Sequence, residues 1–125
     1  MVFIIALVLN TSFIQDAASQ SNILKGEDLL RSCEAWLHYE ETSSEVDMQH
    51  GTSCVLFIFG FREASDMYVA LNKESMKWKL CVPSQVSTIQ IIKIVVRYLN
   101  DRPNVLHMRS APIVADALKR EFPCD

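Results

Sequence analysis

The chain has 125 residues, half of them hydrophobic and 22% charged, with a formal net charge of −3. That length suits one domain with a modest core, and its scattered basic residues lack the concentrated positive charge that nucleic-acid binding requires. Four cysteines, an even number in a short chain, point to disulfides if the compartment oxidises thiols.

Residues 2 to 9, VFIIALVL, are continuously apolar, and the small or polar residues that follow as far as Ser21 include alanines at 17 and 18. This is the pattern of a secretory signal and its cleavage zone, placed at residues 1–19 and followed by a single domain over 20–125. The run is too short to cross a bilayer, which takes about twenty apolar residues, so no stable membrane insertion is expected. No Lys or Arg precedes it, and a buried strand or helix is the alternative. Removing the segment would take away one charged residue, Asp16.

The spacing predicts a first helix from Ile23 or Glu27 to His38. Leu29, Leu30, Cys33, Trp36 and Leu37 share one face of a 3.6-residue period, and Glu27 and Asp28 suit the positive end of the helix dipole. Tyr39 to His50, YEETSSEVDMQH, has no period and reads as an acidic, solvated loop carrying Glu40, Glu41, Glu45 and Asp47. Gly51 to about Leu71 follows, with Thr52 or Ser53 placed to cap it. Its opening CVLFIFGF would suit a strand, but the apolar pattern continues through Ala64, Met67, Tyr68 and Leu71, which favours a long, largely buried helix. Gly60 inside it predicts a neighbouring helix passing close by.

Residues 72–79 are basic and irregular and include Trp78, a possible exposed anchor for a partner or a ring folded onto its own helices. Pro83 pushes Val82 out of helical geometry, so a third helix is expected to start at Ser84 or Ser87. Ile89, Ile92, Val96 and Leu99 are its expected inner face, widened by Ile91 and Val95, and such an apolar helix should be central. Pro103 ends it. Ala111-Pro112 opens a fourth helix, with Val114, Ala117, Leu118 and Phe122 inside and Pro123 as its stop.

The fold class is therefore all-α, a bundle of about four helices arranged as two hairpins. Four cysteines allow three pairings. Antiparallel packing of the first two helices joins Cys33 to Cys54, and the outer ends of the second hairpin bring Cys81 to Cys124. No closely spaced Cys/His pair exists among these cysteines and His38, His50 and His107, so no metal or cofactor is expected. No nucleophile elbow or phosphate loop points to an enzyme.

Gly26-x-Asp28-Leu29-Leu30-x-x-Cys33, Cys54, Gly60, Cys81-Val-Pro83, Val95-Val96-x-Tyr98-Leu99-x-x-x-Pro103-x-x-Leu106-His107, Ala111-Pro112, Ala117-Leu118 and Phe122-Pro123-Cys124 occur in this order. The series resembles the Rap/Tai family of type VI secretion immunity proteins, the resistance-associated and amidase-immunity proteins. The resemblance spans nearly the whole mature chain, except Trp36 to His50, and is most specific from Cys81 to Cys124. It implies a disulfide-bonded helical protein of the periplasm, usually a homodimer, that blocks the active site of a secreted peptidoglycan amidase.

A plug for such an amidase must enter a groove and cover a catalytic Cys/His pair. The acidic stretch Glu40, Glu41, Glu45 and Asp47, and the turn Asn100 to Arg109 with Asn100, Asp101 and Arg102, are the candidates for it. The competing reading is that both are solvated connections. A periplasmic structural or chaperone-like domain without a toxin partner is the alternative function.

Overall fold

The computed structural model describes residues 23–72 and 79–125, so the expected signal segment and Trp78 lie outside the described residues. Among the described residues there are four α-helices: α1 (Gly26–Thr42), α2 (Glu45–Leu71), α3 (Thr88–Asn100) and α4 (Ser110–Glu121). A 3-10 turn at Pro103–Val105 joins α3 to α4, and one isolated β-bridge links Lys25 to Arg109. The protein is all-α, as the periodicity predicts.

Tyr39 to His50 departs from its expectation as an acidic loop. Both helices continue inward until only Ser43 and Ser44 separate them. Ser43 takes the left-handed conformation, with φ 56° and ψ 30°, and returns its N–H to the Tyr39 carbonyl. Ser44 then caps α2 by accepting from the Asp47 N–H, in place of the expected Thr52 or Ser53. Composition concealed the joint because a two-residue turn between helices leaves charged residues on both flanking turns, which looks like a polar loop.

Cys33 and Cys54 are fully buried and bonded, with Cα atoms 5.1 Å apart. Cys81 is bonded to Cys124 with Cα atoms 5.3 Å apart. The bonds close loops of 21 and 43 residues, for which chain entropy gives about 3 and 4 kcal/mol. Both pairings match the hairpin expectation.

α3 packs against each of the other three helices, in keeping with its apolar sequence. Ser87 and Gln90 cap it reciprocally: the Gln90 N–H donates to Ser87 Oγ at 3.3 Å, and the Ser87 N–H to Gln90 Oε1 at 2.8 Å. The buried stripe is Ile91, Ile92, Val95, Tyr98 and Leu99. It is rotated from the expected one, leaving Ile89 and Val96 half-buried, because α1, α2 and α4 surround the helix and a single-faced pattern fixes its orientation poorly. In α4, Ile113 joins Val114, Ala117 and Leu118 in the core, while Phe122 is half-buried past the helix end.

Gly60 does not mark a close helix contact. Among the described residues nothing lies within 4 Å of the Cβ an alanine would add there, whereas at Gly51 such a Cβ would sit 2.6 Å from the Trp36 backbone. Gly51 is therefore a point of close approach between α1 and α2. Nor is α2 largely buried. Only Gly51, Cys54 and Ile58 are, and Leu56, Phe59, Met67, Tyr68 and Leu71 stand exposed along it. At 27 residues it runs about 40 Å, much longer than its neighbours, so its later half outruns them. Arg62 on that half donates to the Val86 and Pro83 carbonyls at 2.7 and 3.3 Å and holds the segment entering α3.

The N-terminus of α1 is sealed by the α3–α4 connection. The Gly26 and Glu27 N–H groups donate to the Met108 and Leu106 carbonyls, each at 2.9 Å, and the Ser110 N–H to the Leu24 carbonyl. Amides that a helix start leaves unpaired are thereby satisfied. The arrangement puts the turn at 100–109 at one end of α1 and the Ser43–Ser44 joint at the other, about 25 Å away for 17 residues.

Candidate functional site

The joint of the first hairpin carries the acidic residues that the sequence singled out. Glu40 and Glu41 lie in the last turns of α1, and Glu45 and Asp47 in the first turn of α2. Glu40, Glu41 and Glu45 are exposed; Asp47 is half-buried. Asp47 accepts from His38 Nδ1 at 2.6 Å, and that bond, with Ser44 as the second cause, holds its carboxyl below the usual 3.8. Thr42 adds a bond from Oγ1 to the His38 carbonyl at 2.9 Å.

The two helix ends treat their charges differently. Glu45 and Asp47 sit at the positive end of the α2 dipole, where acidic groups are favourable. Glu40 and Glu41 sit near the negative end of α1, whose last turn has no basic residue, and there each carboxylate costs a few tenths of a kcal/mol. Folding alone gives no reason for that pair. Val46 and Met48 are exposed beside them, so the tip combines apolar contact area with an acidic surround.

The turn at 100–109 is not one functional unit. Asn100 reaches Glu34 on α1 through Nδ2 at 3.3 Å, and Asp101 is exposed at the end of α3. Arg102 instead lays its guanidinium over the Tyr98 ring, 4.4 Å from the centroid. The Tyr98 hydroxyl donates to Asp116, and Arg120 Nε donates to the same carboxylate oxygen at 2.9 Å. The Tyr98 bond, assisted by Arg120, keeps the Asp116 carboxyl below its ordinary value against the opposing effect of burial. Burial and the Asp116 bond push the Tyr98 phenol up.

These groups line an open notch of about 420 Å³ with Asn104, Val105, Met108, Pro112 and Ile113. Of its members the sequence reading had marked Arg102 for partner contact. Asp116 and Arg120 were findable as an opposite-charge pair four residues apart on one helix face, but nothing local could say that Tyr98 on α3 would meet them.

A second, larger groove of about 630 Å³ lies where α2 outruns its neighbours. Phe61, Ala64, Tyr68 and Leu80 form one side, and Ala111, Pro112 and Ala115 of α4 the other. On the outer surface of α2, Leu56, Phe59, Met67 and Leu71 make a ridge of exposed apolar residues around Gly60, interrupted by the exposed Glu63. The apolar residues were visible in the sequence, but were assigned to the core because periodicity reports an apolar face without reporting what covers it.

Among the described residues no group of His, Cys, Asp or Glu is placed to hold a metal ion, and no helix is long and apolar enough to cross a membrane. A family model described as Rap1a immunity proteins matches residues 25–124. No curated protein and no solved structure matches the chain.

Proposed function

Because the chain belongs to the Rap1a immunity protein family, we propose that it is an exported, periplasmic protein that binds one secreted peptidoglycan amidase and blocks its active site. Membership makes it an immunity protein, with the inhibitory rather than catalytic role that this entails. The amidase, the periplasm, a cleaved signal at residues 1–19 and a homodimer go beyond membership and belong to the proposal. Two disulfides, one of them fully buried, support an oxidising compartment.

The observation that carries the inhibitory reading is the α1–α2 tip. It projects Glu40, Glu41 and Glu45 around exposed Val46, and two of these charges stand against a helix dipole. An amidase groove that accepts an acidic peptide stem suits such a tip. Self-association is supported by the α2 ridge, whose open glycine at position 60 would let the helix of a second copy approach closely.

The test is co-purification with the product of the open reading frame beside this gene, expected to be a small Cys/His amidase, followed by peptidoglycan cleavage with and without the protein. One-to-one, saturable inhibition is expected. Charge reversal at Glu40, Glu41, Glu45 and Asp47 should slow association and flatten its salt dependence. No inhibition of any such neighbour sinks the proposal, and promiscuous capture of unfolded clients would favour the chaperone-like alternative. Light scattering coupled to gel filtration reads the homodimer, and a purely monomeric species would remove that part.

A further inference from the structure

We infer that the notch between α3 and α4 is a carboxylate-binding site, built to receive an acidic side chain of the bound toxin. The inference rests on the immunity reading only for the identity of the guest. The site itself rests on the charge balance of the notch walls. Arg120 and Asp116 are paired, with the Tyr98 hydroxyl as a second donor to that carboxylate. Arg102 is a second cation beside that single carboxylate: its guanidinium lies over the Tyr98 ring, and its charge also acts on Asp116. Asp101 precedes it in the chain but does not line the notch.

A guanidinium held over a ring by its charge keeps the N–H groups of its planar fork, which can meet a carboxylate through two parallel bonds. Tyr98 cannot swing away, because its hydroxyl is tied to Asp116, so the platform under Arg102 is fixed before any guest arrives. Asn104 at the wall adds a side-chain amide, and Met108 an exposed apolar edge for the aliphatic part of a Glu or Asp. An opening of about 420 Å³ admits one such side chain with room for its backbone. The protein is otherwise acidic, with net charge −3, so this local positive spot is not a general surface property. A standard interface covers about 800 Å² per partner, nearly 30 Å across, enough to reach from the acidic tip to this notch along α1.

The experiment uses the full oxidised chain and N-acetyl-L-glutamate α-methylamide as probe, whose one charge is the side-chain carboxylate, with N-acetyl-L-glutamine α-methylamide as the neutral comparator. Nuclear magnetic resonance should show a saturable shift of the Arg102 Nε–H and the Tyr98 ring protons. It should be at least tenfold weaker for the glutamine analogue and absent in Arg102→Gln, whose thermal unfolding serves as the folding control. Arg102→Lys, which keeps the charge without the fork, should bind several-fold more weakly than the wild type. With the amidase in hand, Arg102→Gln should raise its dissociation constant at least tenfold. No saturable shift, or one that survives in Arg102→Gln, overturns the site. A shift that behaves as expected beside an unchanged amidase affinity overturns the toxin as its guest. The probe titration needs no amidase, so its outcome stands apart from that of the inhibition assay.

Discussion

Ser32 puts one hydroxyl between two helices. It is buried on α1, donates to the His50 carbonyl at 2.7 Å and accepts from the Cys54 N–H at 3.1 Å. Those two groups lie one turn apart on α2, so the hydroxyl fixes the register of the helices beside the Cys33–Cys54 bond. Ser110 is its opposite: also buried, at the first position of α4, but with no protein partner for its Oγ. Ser32→Ala should therefore lower unfolding stability by about 1 to 2 kcal/mol, since it removes two bonds between the helices while the His50 carbonyl and Cys54 N–H stay i, i+4 partners within α2, whereas Ser110→Ala should be neutral or stabilising by up to about 1 kcal/mol. Urea denaturation of the two variants checks the contrast. Neither role was legible in the sequence, because a serine in a helix reads the same whether its hydroxyl bridges a neighbour or meets nothing.

Asp116 makes a pH prediction at the same scale. Its carboxyl is held below the ordinary 3.8 in the fold, chiefly by the Tyr98 bond. The stability it contributes is present above about pH 4 and is lost as pH falls through the lower folded value, because the unfolded chain then binds the extra proton. Asp47, lowered mainly by its His38 bond, acts in the same direction. Melting temperature should decline below about pH 4, and the decline should be shallower in Asp116→Asn, which has no proton to take up there. Parallel acid limbs for the two proteins would refute the assignment.

At the scale of the elements, the close approach that the sequence places at Gly60 lies at Gly51 instead. An alanine at position 51 would drive its Cβ into the Trp36 backbone at 2.6 Å, and α1 and α2 would have to separate. An alanine at position 60 meets nothing and gains helix propensity of about 1 kcal/mol. Gly51→Ala should unfold at lower denaturant and Gly60→Ala, measured on dilute monomer, at higher denaturant. Helix existence and type were legible throughout: α1 and α4 from their apolar stripes, α3 from its stripe and the Pro83 that precedes its start. The α1–α2 joint was not, because only Ser43 and Ser44 carry it and both belong equally to a loop or a cap. The exposed half of α2 was missed for a related reason: local pattern tells apolar from polar but does not tell core from interface.

The whole molecule is held by two bonds in unlike surroundings. Cys33 and Cys54 are fully buried in the core, while Cys124 is exposed and Cys81 half-buried at the periphery. Access governs thiol exchange, so limited dithiothreitol should open Cys81–Cys124 first, with mass spectrometry of alkylated peptides recovering Cys81 and Cys124 labelled while Cys33–Cys54 is intact. Simultaneous loss of both would show that reduction waits on global unfolding. This level of organisation was the most legible of all, since both pairings followed from two antiparallel hairpins. The polarity of the molecule, acidic at one end of α1 and with two arginines around one carboxylate at the other, was not. It depends on Tyr98, Asp116 and Arg120 meeting across two helices.

The order of the pairing also bears on how the protein is made. Cysteines join first to second and third to fourth, so neither loop encloses or crosses the other. A chain entering an oxidising space N-terminus first presents Cys33 and then Cys54 before either later thiol arrives. An oxidase that joins each thiol to the next one to emerge then makes only native bonds, and no shuffling enzyme is needed to correct them. A protein whose value lies in being present before a toxin arrives thus matures without waiting on proofreading.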